Sequence, residues 1–105
     1  MTIHYDKLVR DHIPAMIRAS GKTPLTDTIP PEKMQEALDR KLQEEVAEFL
    51  ECHSVEEMAD VLEVLHGIAF HGGIDWSLVE AERIRKNNER GGFEKGIRLI
   101  GVSEE

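Results

Sequence analysis

The sequence predicts an all-α fold, a small antiparallel bundle of three main helices with a short helix before them. Apolar residues recur at helical spacing from about residue 34 to residue 89, and short breaks rich in Gly, Ser or Asp separate the periodic segments. Short connections make sequential helices antiparallel neighbours. The 105 residues contain no repeat, low-complexity tract or linker, so we expect one domain spanning 1–105.

The first two helices are delimited by proline and glycine. A short helix is predicted at about Pro14–Ala19, because proline is tolerated in the first turn and a Ser-Gly pair follows. The next residues, 23–31, contain three prolines and read as an irregular connection. Pro31 then opens the second helix, which we expect to run to about Glu51.

The remaining helices have N-cap residues. Ser54 precedes a third helix predicted at Val55 to about Phe70, and Asp75 precedes a fourth that runs through about Glu89. Gly-Gly pairs follow both helices and favour helix ends there. The tail, Ile97–Val102, has β character and predicts a short C-terminal strand.

The formal net charge of −8 is concentrated between Glu36 and Glu63. That segment contains ten acidic and two basic residues, whereas the rest of the chain contains eleven of each. A local negative excess repels nucleic acid and attracts divalent cations. We therefore expect no nucleic-acid partner.

The composition also bears on location. No apolar run reaches membrane-spanning length, and the first residues lack the apolar stretch of a signal peptide. We expect a cytoplasmic protein without a membrane partner. The single cysteine, Cys52, excludes an internal disulfide and a Cys-rich zinc site.

Two acidic pairs share one spacing: Glu45-x-x-Glu48 on the second helix and Glu57-x-x-Asp60 on the third. Residues three apart lie on one helix face. At 100° per residue, Glu45 and Glu57 fall within the apolar stripes of their helices, and Glu48 and Asp60 fall at the borders. Glu44 points away from the stripe and is expected at the surface.

A shared cation is the interpretation that explains both pairs. A buried carboxylate without a partner is costly, and oxygen-only ligation suits Mg²⁺ or Mn²⁺. Two other interpretations stay open: a solvated acidic face, and a capping box in which Glu57 reaches back to the amide of Ser54. A capping box does not explain Glu45. Glu63-x-x-His66 has the spacing of di-iron bundles, but one outward-facing motif does not form such a site.

The ordered motifs resemble those of the all-α nucleoside triphosphate pyrophosphatases, a superfamily that includes MazG-like proteins and phosphoribosyl-ATP pyrophosphohydrolases. Residues 44–48 and 57–60 are similar to its Glu-Glu-x-x-Glu and Glu-x-x-Asp signature. Residues 7–14 (Lys-Leu-Val-Arg-Asp-His-Ile-Pro) and 86–93, with Lys, Arg, Gly, Gly and Phe at 86, 90, 91, 92 and 93, resemble the small single-domain, MazG-like branch of predicted house-cleaning enzymes.

The resemblance implies hydrolysis of a nucleoside triphosphate to the monophosphate and pyrophosphate. It implies Mg²⁺ (with Mn²⁺ as a substitute) bound by Glu45, Glu48, Glu57 and Asp60, and a homodimer or homotetramer. Either Glu45 or Glu48 would orient or deprotonate the attacking water. Substrate binding is assigned to five basic residues, whose alternative role is exposure or ion pairing with the acidic helices: Lys7, Arg10, Lys41, Lys86 and Arg90.

The alternative function is a non-catalytic helical module that binds a nucleotide or a partner and retains the metal site.

Overall fold

The computed structural model describes residues 1–104, and all the regular secondary structure in that range is helical, which confirms the all-α prediction. A 3₁₀ turn, Pro31–Lys33, leads into the second helix. No helix in the described range is both long and apolar enough to cross a membrane. The helices are α1 (Ile13–Ala19), α2 (Met34–Glu51), α3 (Val55–Gly72) and α4 (Trp76–Arg90).

The predicted C-terminal strand is not present in residues 97–102. A strand needs a neighbouring strand to receive its backbone hydrogen bonds, and residues 1–104 contain none. The apolar side chains that suggested it are exposed instead, at Ile97, Leu99, Ile100 and Val102.

The chain divides into two compact units. The first is Met1–Ile74, with α1, α2 and α3, and the second begins at Asp75 and contains α4. In the first unit, α2 and α3 pack on each other and a three-residue connection, residues 52–54, joins them.

The α2 and α3 helices are antiparallel, because late residues of α3 lie against early residues of α2. A Cβ atom on Gly67 would lie 3.3 Å from Leu38 Cδ2, so glycine permits this close approach. The buried apolar residues of the described chain are Leu38, Val64 and Ala69, each between 5% and 8% exposed. This small core sets the register in which the acidic residues of the two helices face each other.

The predicted N-caps are present at the starts of both α3 and α4. The Ser54 hydroxyl accepts a hydrogen bond from the Glu57 amide at 3.1 Å, and the Asp75 carboxylate accepts one from the Ser77 amide at 2.9 Å. Gly73, with φ of 69°, ends α3 in the left-handed conformation that glycine adopts without strain.

The apolar stripe predicted on α3 is divided between two faces. Val64 is buried, but Met58 and Leu65, which belong to the same stripe of α3, are 59% and 38% exposed. One neighbouring helix covers only one side of a wide stripe. We call the uncovered side the exposed α3 seam; its residues follow the 3-4-3 spacing of a coiled-coil seam and are Val55, Met58, Leu62 and Leu65.

Candidate metal centre

Three of the four predicted ligands come together between α2 and α3. Glu45, Glu57 and Asp60 each offer a carboxylate oxygen, and these oxygens lie within 4.8 Å of one another. Glu45 comes from the middle of α2, whereas the other two come from the first turns of α3. The antiparallel packing of the helices therefore turns two separate sequence motifs into one cluster.

Glu45 is the buried member of the cluster. It is only 8% exposed, and its Oε1 atom lies 3.2 Å from Lys41 Nζ, one turn earlier on α2. Its Oε2 atom is buried and has no hydrogen-bond partner within the described chain. A buried carboxylate oxygen without a hydrogen-bond partner lowers the stability of the folded state unless a bound ligand interacts with it.

Glu57 does not form the second half of a capping box. Its amide donates to Ser54, but the Ser54 amide donates to the Cys52 carbonyl at 2.8 Å. The Glu57 carboxylate is thus not used as a cap, and its Oε2 atom is buried without a hydrogen-bond partner among residues 1–104. This leaves the side chain available to the cluster.

Asp60 is held by a residue far away in the sequence. Arg10 Nη2 donates to Asp60 Oδ1 at 2.7 Å, across 50 residues of chain. The pair is partly open to solvent, with Arg10 57% and Asp60 34% exposed. Ion pairing with the acidic helices, an alternative considered for the basic residues, thus applies to Arg10, to Lys41 and to Lys7.

Glu48, the fourth predicted ligand, lies outside the group of three and is exposed. It is nevertheless close to Glu45: a hydrogen bond with Glu45 and the charge of that residue raise the pKa of the Glu48 carboxyl. Burial and the charges of Asp60 and Glu45 raise the pKa of Glu57. Both changes reflect several carboxylates gathered at one place.

Glu44, predicted at the surface, keeps 36% of its side chain exposed. It is half-buried, with Lys41 Nζ at 3.4 Å and Lys7 Nζ at 4.0 Å from its Oε1 atom. The Lys7 contact comes from the N-terminal segment, whose position helical phase alone does not predict. Lys7 therefore pairs with Glu44 rather than with the three clustered carboxylates.

The residues present fit a hard divalent cation. The donors are all carboxylate oxygens, which Mg²⁺ and Mn²⁺ prefer, and two of those oxygens are buried without partners.

The second unit contains a basic groove of about 830 Å³ at the end of α4. Lys86 and Arg90 line it, together with the Gly-Gly-Phe segment at 91–93. Arg83 also lines it but is bonded to Glu80. Within the described residues, Lys86 and Arg90 form no salt bridge, but a hydrogen bond from Arg85 and the charge of Lys86 lower the pKa of Glu82, and Glu94 also lines the groove. The groove therefore contains two of the predicted substrate-binding residues and one carboxylate.

The Arg10–Asp60 pair is the feature that the sequence motifs did not specify. Both residues were candidates, but for separate roles, and a separation of 50 residues carries no spacing signal. The motif at residues 7–14 was the only indication that the N-terminal segment belongs near the acidic helices.

No family model matches this sequence, and no solved structure matches it. A protein of Mycolicibacterium smegmatis (strain ATCC 700084 / mc(2)155), described as an uncharacterized protein, is 57% identical over 43 residues. Those residues make up 41% of this chain and 44% of that relative, so the match spans less than half of either protein.

Proposed function

We propose that this protein is a Mg²⁺-dependent nucleotide pyrophosphohydrolase, a hydrolase that cleaves a nucleoside triphosphate to the monophosphate and pyrophosphate. The observation that carries the proposal is the convergence of Glu45, Glu57 and Asp60 on one point, with buried oxygens of the first two lacking partners. The carboxylate oxygens of an acidic surface would be hydrated by water. In a metal centre, the buried oxygens would instead coordinate the ion.

Glu45, Glu57 and Asp60 would hold the ion, with Glu48 next to them. The ion, when bound, supplies neutralisation of phosphate charge and a lower pKa for a coordinated water. Glu48 is the better candidate to accept a proton from that water. It is exposed and has a raised pKa, whereas Glu45 is buried and its Oε1 atom lies against Lys41.

Substrate phosphates need cations, and Lys86 and Arg90 are our candidates to bind them. They lie one helical turn apart and line the same groove, with no salt bridge to a described residue. An arginine presents paired N–H donors to phosphate oxygens, and a lysine adds a point charge. Lys7, Arg10 and Lys41 bond carboxylates instead, so their part in phosphate binding is a weaker proposal.

We also propose that the chain forms a homodimer through the exposed α3 seam. Three apolar side chains form the buried core of the described chain, which is little for a domain of this size. The seam repeats the coiled-coil spacing along one face of α3, and a second copy related by twofold symmetry offers an identical surface. A homotetramer would require a further surface.

The activity is tested by pyrophosphate release from a panel of canonical, deoxy and damaged nucleoside triphosphates, with Mg²⁺ or Mn²⁺. Release from at least one of them, abolished by a chelator, is expected. Calorimetric binding of nucleotide and ion without turnover would instead favour a non-catalytic binding module. Absence of both ion binding and turnover would refute both functions.

Neighbouring glutamates provide a matched pair of variants. Glu45→Gln removes a buried member of the cluster and is expected to abolish turnover. Glu44→Gln makes the same chemical change one residue earlier, where the carboxylate faces Lys41 and Lys7, and is expected to keep most of the activity. Equal losses in the two variants would contradict the proposed ligand set.

A further inference from the structure

We propose that Arg10 is an internal competitor for the divalent cation, bonded to Asp60 in the ion-free protein and released when the ion binds. The inference rests on the metal site proposed above and adds a link between that site and the N-terminal segment. It starts from the 2.7 Å bond between Arg10 Nη2 and Asp60 Oδ1, made to a carboxylate that also belongs to the cluster of three.

The two cations that touch the cluster are attached differently. Lys41 and Glu45 are four residues apart on α2, so helix geometry keeps them together whether or not an ion is present. Arg10 belongs to residues 1–12, which contain no helix and approach α3 from a distant part of the sequence. Of these two cations, Arg10 is the one that can leave without disturbing a helix.

The strength of the bond also favours exchange. It is a single hydrogen bond rather than a paired one, and 57% of the Arg10 side chain is exposed. Exposed ion pairs contribute little, because water and salt screen them. A divalent ion brings twice the charge and also reaches the unpartnered oxygens of Glu45 and Glu57, which a guanidinium bonded to Asp60 does not satisfy.

The segment that contains Arg10 is suited to such a change. Leu8 and Val9 are half-buried, whereas Arg10 and residues 1–7 are exposed. The Arg10 carbonyl accepts a bond from the Ile13 amide at 3.1 Å, so the segment stays connected to the start of α1. Loss of the Asp60 bond would therefore free the guanidinium and loosen the residues before it.

The test compares Mn²⁺ affinity, by calorimetry, in the wild-type chain and in Arg10→Gln. Removal of the Arg10 guanidinium should raise the Mn²⁺ affinity by about two- to fivefold, which corresponds to the free energy that an exposed ion pair contributes. Lys7→Gln is the matched control, because it removes a charge from the same segment that faces Glu44 and not the cluster. It should change the affinity less, and Arg10→Lys should stay close to the wild type.

The NMR signals of the Arg10 guanidinium give a readout independent of affinity. Addition of Mg²⁺ to the wild-type chain should move the Nη2 proton signals, which belong to the donor bonded to Asp60, toward those of a free arginine. Signals that Mg²⁺ leaves unchanged would overturn the inference. Unchanged or weaker Mn²⁺ binding in Arg10→Gln, or equal tightening in Lys7→Gln, would overturn the inference alone. Failure of the wild-type chain and of Arg10→Gln to bind Mn²⁺ would overturn the metal site as well.

Discussion

Truncation of Leu62 to alanine tests whether the exposed α3 seam joins two copies of the chain. Leu62 is 48% exposed and lies at the middle of the seam. Complete burial of a leucine side chain stabilises by about 1.5–3 kcal/mol, so burial of its exposed half contributes about 0.7–1.5 kcal/mol in each copy. Twofold symmetry doubles this, and Leu62→Ala should raise the dimer dissociation constant roughly 10- to 150-fold.

Sedimentation equilibrium over a dilution series measures that constant. Leu25→Ala is the matched control, because Leu25 is 78% exposed in the connection before α2 and lies outside the seam. It should leave the dissociation constant unchanged. A wild-type chain that is monomeric at about 100 μM, where specific homodimers persist, would refute the proposed dimer, and equal effects of the two variants would refute the seam.

Further predictions concern charge, phosphate binding and packing. Glu57→Gln should raise the melting temperature of the chelator-treated protein at pH 7, because it removes one of several like charges; a lower value would contradict the cluster. In the wild type, the raised pKa values of Glu48 and Glu57 mean that the folded state takes up protons more readily than the unfolded one. Ion-free stability in thermal melts should therefore rise as the pH falls from 7 toward the ordinary value of 4.5, and a flat or falling profile would refute this. Arg90→Ala should weaken calorimetric nucleotide binding about tenfold, whereas Arg83→Ala, which removes an arginine bonded to Glu80, should not. Leu38→Ala should lower the free energy of unfolding by about 2–5 kcal/mol in denaturant titrations, and a change below that range would place Leu38 outside the core.

The helices follow closely from local sequence signals. Ser54 and Asp75 cap α3 and α4 as expected, and Pro31 opens the turn that becomes α2. These signals act over one helical turn, so they can be recognised in the sequence without knowledge of the tertiary structure. The expected strand at 97–102 was wrong because strand formation requires a partner elsewhere in the chain.

Part of the candidate site could be predicted from the sequence. Periodicity identified Glu45 and Glu57 as carboxylates on apolar faces, and the observed packing of α2 on α3 makes those faces meet. Periodicity did not predict the ion pair of Glu44 with Lys7, since periodicity describes one helix and not its contacts with other segments. Glu48 stays a predicted ligand, exposed beside the cluster.

The sequence by itself therefore determined the helical class, the helix ends and the candidate acids, because these depend on contacts within a few residues. The tertiary structure decided which carboxylates converge, that the Glu57 side chain is not a cap, and that Arg10 bonds Asp60 across 50 residues. It also decided that only one side of the α3 stripe is covered. Such contacts depend on helix register and chain path, and no local pattern encodes either of them.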